Sequence, residues 1–137
     1  RGLGELVTDY PEVPVQLAHY GTPRLQDDGS ADIHYDRLSE VVDFVIAHPS
    51  VHCDLAAYQH LITADEEYPY QRALEVVRLM HAGIGASRIH WGTDWPYLGE
   101  QPYEELIRAI REAPFLAAEE VDLILGGNAA QFVGHEP

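Results

Sequence analysis

Three short apolar runs, VPVQLAH (13–19), VHCDLAAY (51–58) and RIHWGTDW (88–95), are each followed by a polar loop and then by a segment of helical periodicity. This alternation constrains the chain more than any other feature. A strand must pair, and parallel neighbours have to be joined by a crossover long enough to hold a helix. Strand–helix repetition therefore predicts an α/β fold, a parallel sheet with helices on its face. In RLSEVVDFVIAH (37–48), Leu38, Val41, Val42, Val45 and Ile46 share one face and Pro49 ends the helix. QRALEVVRLMHAGIG (71–85) brings Leu74, Val77 and Met80 together and closes at Gly83 or Gly85. Pro102 stands where a first helical turn tolerates proline, and YEELIRAIREA (103–113) aligns Tyr103, Leu106, Ile107 and Ile110 before Pro114. A further helix in AAEEVDLILGGNAAQFVG (117–134) is interrupted at Gly126-Gly127. The stretches 23–36 and 63–70 are rich in turn residues and read as exposed loops.

Composition narrows the partners. The formal net charge is −15, and all eight basic residues are arginine. Such a surface repels phosphate, which argues against nucleic acid and against anionic membranes. No apolar run approaches the roughly 18 residues of a membrane span. The 137 residues predict one domain, and a single cysteine, Cys53, excludes an internal disulfide and suggests a cytoplasmic protein. The chain opens on Arg1 without a signal-peptide pattern, so an excised or processed chain is expected.

In parallel sheets, chemistry collects at the carboxyl ends of the strands. His19, Ala56-Ala57 and Asp94 fall there. Strand alternation puts His90, Gly92 and Asp94 on one side, and Gly92 leaves room beside the carboxylate. Asp94 can ligate a metal, activate water or shuttle a proton; it can equally cap a turn fixed by Pro96. His19 can be a ligand, an acid–base group or an electrophile, or one structural histidine among eight. His90 lies deeper and reads as core or as support behind the site, while His52 and His60 flank the second strand with either role open. Arg24 can bind a substrate carboxylate through a bidentate pair or balance local acids. Trp95 and Tyr58 can line a mouth above the sheet or simply pack. HxH, HExxH, CxxC, GxSxG and glycine-rich phosphate motifs are all missing from the sequence.

Three stretches taken together resemble the amidohydrolase-related family of TIM-barrel hydrolases, in its lactonase-like and decarboxylase-like branch. PEVPVQLAHYGTP (11–23) is similar to that family's sixth strand, RIHWGTDWP (88–96) to its eighth, and ILGGNAAQFVG (124–134) to its closing helix. At Ala56-Ala57 the chain departs from the family's Ser-Gly. The resemblance implies that this single partial domain supplies the C-terminal three βα units, strands six to eight, of a (β/α)8 barrel. It implies Asp94 as metal ligand or base for the attacking water, and His19 as the group that contacts metal or substrate. Arg24 and Trp95 are the candidate substrate-binding residues. The cofactor implied is a divalent metal, zinc first, completed by a strand-one His-x-His pair and a strand-five histidine that this sequence does not contain. The expected reaction is cleavage of a C–O or C–N bond in a small carboxylated molecule. Decarboxylation on the same constellation is the alternative, and a non-catalytic α/β module is the rival from another class. A barrel takes about 250 residues, so the missing N-terminal half or a second copy is expected as partner. Without it, Val13, Val15, Leu17, Val51, Cys53 and Leu55 are expected to be inward positions lying against nothing.

Overall fold

The computed structural model describes residues 2–21, 35–56, 61–62, 65–94 and 102–135. Helix α1 (Leu3–Asp9) precedes strand β1 (Val15–Leu17), which passes into a tight turn at Ala18–Gly21. Helix α2 (Tyr35–Ala47), strand β2 (Val51–Asp54), helix α3 (Gln71–Ile84) and strand β3 (Ile89–His90) follow. Then come α4 (Tyr103–Arg111), α5 (Ala118–Asp122), a widened turn at Leu123–Gly127, and α6 (Asn128–Phe132). The three strands form one parallel sheet in the order β1-β2-β3, with Val15 opposite Val51 and Cys53 opposite Ile89. This is the α/β architecture that the alternation predicts.

The strands are shorter than the apolar runs that signal them. β3 covers two residues because the backbone leaves the sheet at Trp91, whose N–H donates to Ile124 O at 2.8 Å. α1 was not expected from the sequence; its apolar set of Leu3, Leu6 and Val7 has helical spacing but spans barely more than one turn, and only Val7 is buried. Helical geometry also refines the faces. At about 100° per residue, Ile46 lies some 80° from Leu38 while Val45 lies within about 20°, and Ile46 is accordingly 53% exposed where Val45 is fully buried. In α4 the buried stripe runs through Leu106, Ala109 and Ile110 and continues past the helix end to Ala113, which leaves Tyr103 on its exposed margin.

The largest correction concerns the faces of the sheet. Val51, Cys53, Leu55 and Ile89 are completely buried in one cluster with Val45, Val77, Met80, Leu106, Ile110 and Ile124. Val15 and Leu17 pack against that cluster, and Val13, ahead of β1, is exposed. These alternate positions therefore do not lie against nothing. They face helices, as the outer side of a barrel strand does, because period-two alternation alone does not say which side of the sheet the helices take. The other side carries Gln16, His52, Asp54 and His90. Among the described residues, no helix is long and apolar enough to cross a membrane.

Candidate active site

At the carboxyl end of β1 the chain turns abruptly. His19 (φ 54°, ψ 49°) and Tyr20 (φ 46°, ψ 33°) both adopt left-handed backbone, which costs a side-chain-bearing residue about 1–2 kcal/mol each. Three neighbours hold this conformation. Asp54 Oδ1 accepts the His19 N–H at 2.7 Å, Tyr20 is buried, and Gly21 (φ +80°) lies so close to α2 that a Cβ there would come within 2.8 Å of Val41 Cγ1. At the end of β3, Asp94 is left-handed as well (φ 53°). Gly92 does not reserve space for Asp94. A Cβ at 92 would sit 3.0 Å from the Ala56 Cβ, so the glycine lets the tips of β2 and β3 approach.

The two turns bring the sequence's leading candidates together. His19 Nε2 stands 3.4 Å from Asp94 Oδ1, with side chains 36% and 31% exposed. That spacing has a chemical meaning beyond a weak ion pair. Two ligands on a tetrahedral zinc, at about 2.0–2.1 Å for nitrogen and 2.0–2.2 Å for oxygen, are themselves separated by about 3.4 Å. The pair thus fits two corners of a tetrahedral ion. Among the described residues, no cluster of three or more His, Cys, Asp or Glu side chains adds the remaining corners. Arg24 and Trp95, with Tyr58 and His60, lie outside the described residues.

Behind this pair runs a hydrogen-bonded chain on the polar side of the sheet. His52 Nδ1 and His90 Nε2 are 3.0 Å apart, His90 Nδ1 is 2.8 Å from Gln16 Oε1, and Gln16 Nε2 donates to Asp54 Oδ2 at 2.7 Å. Phe132 of α6 packs edge-on against both imidazoles. Burial is the main cause that holds the His90 imidazole below the usual histidine range; His52 adds to it and Asp54 opposes it. His52 is also held low, by burial first and then by the Arg88 charge.

Both shifts have the same sign for stability. A histidine whose folded pKa is lowered binds fewer protons folded than unfolded, so its cost appears as pH falls below the unfolded value of about 6.5. The melting temperature is therefore expected to hold steady from pH 8 to about 6.5 and to decline between 6.5 and 5.5. Replacing His52 by Gln should flatten that decline. An unchanged slope in the variant would show that other groups set the acid limit.

The profile of the amidohydrolase family matches residues 3–135. The chain belongs to the amidohydrolase family. It is 32% identical to the L-fucono-1,5-lactonase of Burkholderia ambifaria over 90 residues, which make up 64% of this chain and 28% of that lactonase. In three dimensions it resembles an amidohydrolase from Burkholderia multivorans solved with bound HEPES, with a TM-score of 0.75 and 21% identity, over 98% of this chain and 49% of that one. The zinc-bound form of that amidohydrolase gives a TM-score of 0.72 at 20% identity, over 98% and 48%. The 5-carboxyvanillate decarboxylase of Sphingomonas paucimobilis shares the fold more distantly, with a TM-score of 0.56 and 17% identity over 95% of this chain and 36% of the decarboxylase. The chain thus spans about half the length of the Burkholderia multivorans amidohydrolase.

Two polar residues of the amidohydrolase chain escape a reading that places the end of the second strand at Ala56-Ala57. Gln16 sits in the middle of β1 and Asp54 is the last residue of β2, and both bear on the turn that carries His19. A signal was present: Asp54 interrupts an otherwise apolar Cys53–Leu55 stretch, and it shares strand parity with His52. The GGNAA segment also gains a reason. Asn128 is 2% exposed, and its Nδ2 donates to Ala86 O and Ile89 O, both at 2.7 Å.

Proposed function

We propose that the protein to which this chain belongs is a metal-dependent hydrolase that cleaves a C–O or C–N bond, a lactone foremost, in a small carboxylated substrate. The observation that carries this reading is the convergence of His19 Nε2 and Asp94 Oδ1 to 3.4 Å at the carboxyl ends of parallel strands. In this reading the chain is one partial domain, strands six to eight of a (β/α)8 barrel. The rest of the barrel, or a second copy, meets the side of the sheet that bears Gln16, His52 and His90. Similarity to a lactonase and to a zinc-bound amidohydrolase supports it. The single cysteine, Cys53, buried and with its thiol pushed up to about 12 by burial, accords with a cytosolic setting and takes no part in the chemistry.

His19 and Asp94 would hold a divalent ion, zinc first, jointly with ligands from the rest of the protein. When bound, such an ion supplies Lewis-acid polarisation of the scissile carbonyl. The chain's own work is proton transfer and placement. Besides helping to hold the ion, the Asp94 carboxylate would take the proton of the attacking water and return it to the leaving oxygen or nitrogen. The left-handed turns keep both side chains aimed at one point, so little reorganisation is needed as the transition state forms. Arg24 would pair with the substrate carboxylate, and Trp95 would line the mouth.

Decarboxylation is the second reading, favoured by the shared fold with the 5-carboxyvanillate decarboxylase. A panel of sugar lactones and aromatic carboxylic acids, assayed with the complete zinc-loaded protein, separates the two. Acid release from a lactone, lost with chelator and restored by zinc, is the expected result. Carbon dioxide release alone would move the assignment to the decarboxylase, and inactivity across a broad panel would favour a non-catalytic module.

A further inference from the structure

We propose that Asp54 is the positioning residue of this site: it grips the His19 backbone and so turns the imidazole to meet Asp94. The inference rests on the hydrolase reading above but concerns a residue that touches neither substrate nor metal in it. Asp54 Oδ1 accepts two backbone N–H groups, from His19 at 2.7 Å and from Ala56 at 3.0 Å. Those two amides belong to the carboxyl-end turns of adjacent strands, so one buried oxygen ties the tips of β1 and β2 together. Next to that tie, Gly92 lets the tip of β3, with Asp94 two residues on, close against Ala56. The three strand ends are thereby in register around Asp54.

The rest of the polar chain fixes the carboxylate itself. A carboxylate only accepts, so the Gln16 amide must present its NH2 to Asp54 Oδ2, which leaves Oε1 for His90. An amide oxygen also only accepts, so His90 Nδ1 carries the proton. His90 Nε2, neutral, then accepts from His52 Nδ1–H. Every donor in the row points toward Asp54, from His52 through His90 and Gln16 to the carboxylate, and each bond polarises the next. Asp54 therefore stays buried with both oxygens satisfied, and it has no rotamer to relax into without breaking this row. In this arrangement the left-handed backbone at His19 is held by a charge-assisted hydrogen bond, the strong class for such a task.

The test uses the complete zinc-loaded protein and three variants. Asp54→Ala removes the acceptor, and Asp54→Asn keeps an acceptor oxygen at nearly the same place. Asp54→Ser leaves a hydroxyl in the buried spot but is one bond too short, and it carries the comparison should the alanine variant not fold. Kinetics and crystal structures are read side by side. The expected result is that the truncated variant lowers kcat at least about ten-fold with KM nearly unchanged, as for a misplaced catalytic group. In its structure His19 and Asp94 should separate beyond about 4 Å, past ion-pair contact. Asp54→Asn should restore most of kcat and the close approach. A truncated variant whose His19–Asp94 approach is unchanged overturns the proposal, whatever its turnover. A truncated variant in which the pair opens while turnover stays normal upholds the positioning role and instead removes His19 and Asp94 from the chemistry, which defeats the hydrolase reading.

Discussion

In the complete protein, Asp94→Asn is expected to lower turnover by about 10²–10⁴-fold, the usual worth of a positioned acid–base group, while the melting temperature moves by no more than a few degrees. Asparagine matches the carboxylate in shape and tolerates left-handed backbone well, so the φ of 53° at this position should survive. What it loses is the charge that holds an ion and the basicity that takes a proton. Asp94 is partly exposed and packs into no apolar cluster, so the loss should appear in kcat and not in folding. Turnover near wild type in this variant would remove Asp94 from the mechanism. A collapse of stability in step with activity would mark it as a turn residue.

The second large effect is on folding. Asn128→Ala should destabilise the protein by about 1–3 kcal/mol, because it strands the buried Ile89 carbonyl, which costs about 1–3 kcal/mol when unpaired, and takes one of two donors from Ala86 O, which keeps the Ile89 N–H. Those carbonyls, Ala86 O and Ile89 O, belong to the turn before β3 and to β3 itself. One side-chain amide thus fastens the end of the chain to the shortest strand of the sheet. Asn128→Asp is the sharper variant. It is isosteric with asparagine but, when ionised, has no N–H to give, so it should do at least as much harm as alanine. Thermal unfolding at pH 7.5 reads both, and an aspartate variant as stable as the parent would show that donation by Asn128 is not what holds β3.

Much of this was legible in the sequence for a simple reason. Strand–helix alternation leaves a trace in local periodicity, and the ends of strands follow from it, so His19 and Asp94 stood out as polar groups at such ends. Their approach to 3.4 Å was not legible, because it depends on two left-handed turns at non-glycine residues. Local propensity disfavours that conformation, and only tertiary contacts such as the Asp54 carboxylate stabilise it. Which face of the sheet meets the helices was hidden as well. Val51-His52-Cys53-Asp54 alternates apolar with polar, and the apolar set would suit a barrel interior as readily as a helix-covered exterior. The polar set decides the matter only once His52, His90, Gln16 and Asp54 are seen bonded to one another. α1 was missed because its stripe, Leu3, Leu6 and Val7, is too short for periodicity to stand out, and two of the three side chains stay exposed.

The unequal faces of the sheet also bear on how such a protein can come apart. Its aliphatic side chains are concentrated in one layer, where Val51, Cys53, Leu55 and Ile89 meet the helices, while the opposite layer is held by hydrogen bonds and by the Phe132 ring against the two imidazoles. Water can replace hydrogen bonds at modest net cost, whereas it cannot replace apolar contact. In the barrel proposed above, this contrast would make a seam along the axis: prising it open would wet imidazoles and amides but leave each sheet-and-helix layer intact. Opening along that seam would then be a sub-global event, a separate unit in amide exchange with its own lower free energy. Halves of such a barrel would behave as modules that dissociate before they unfold.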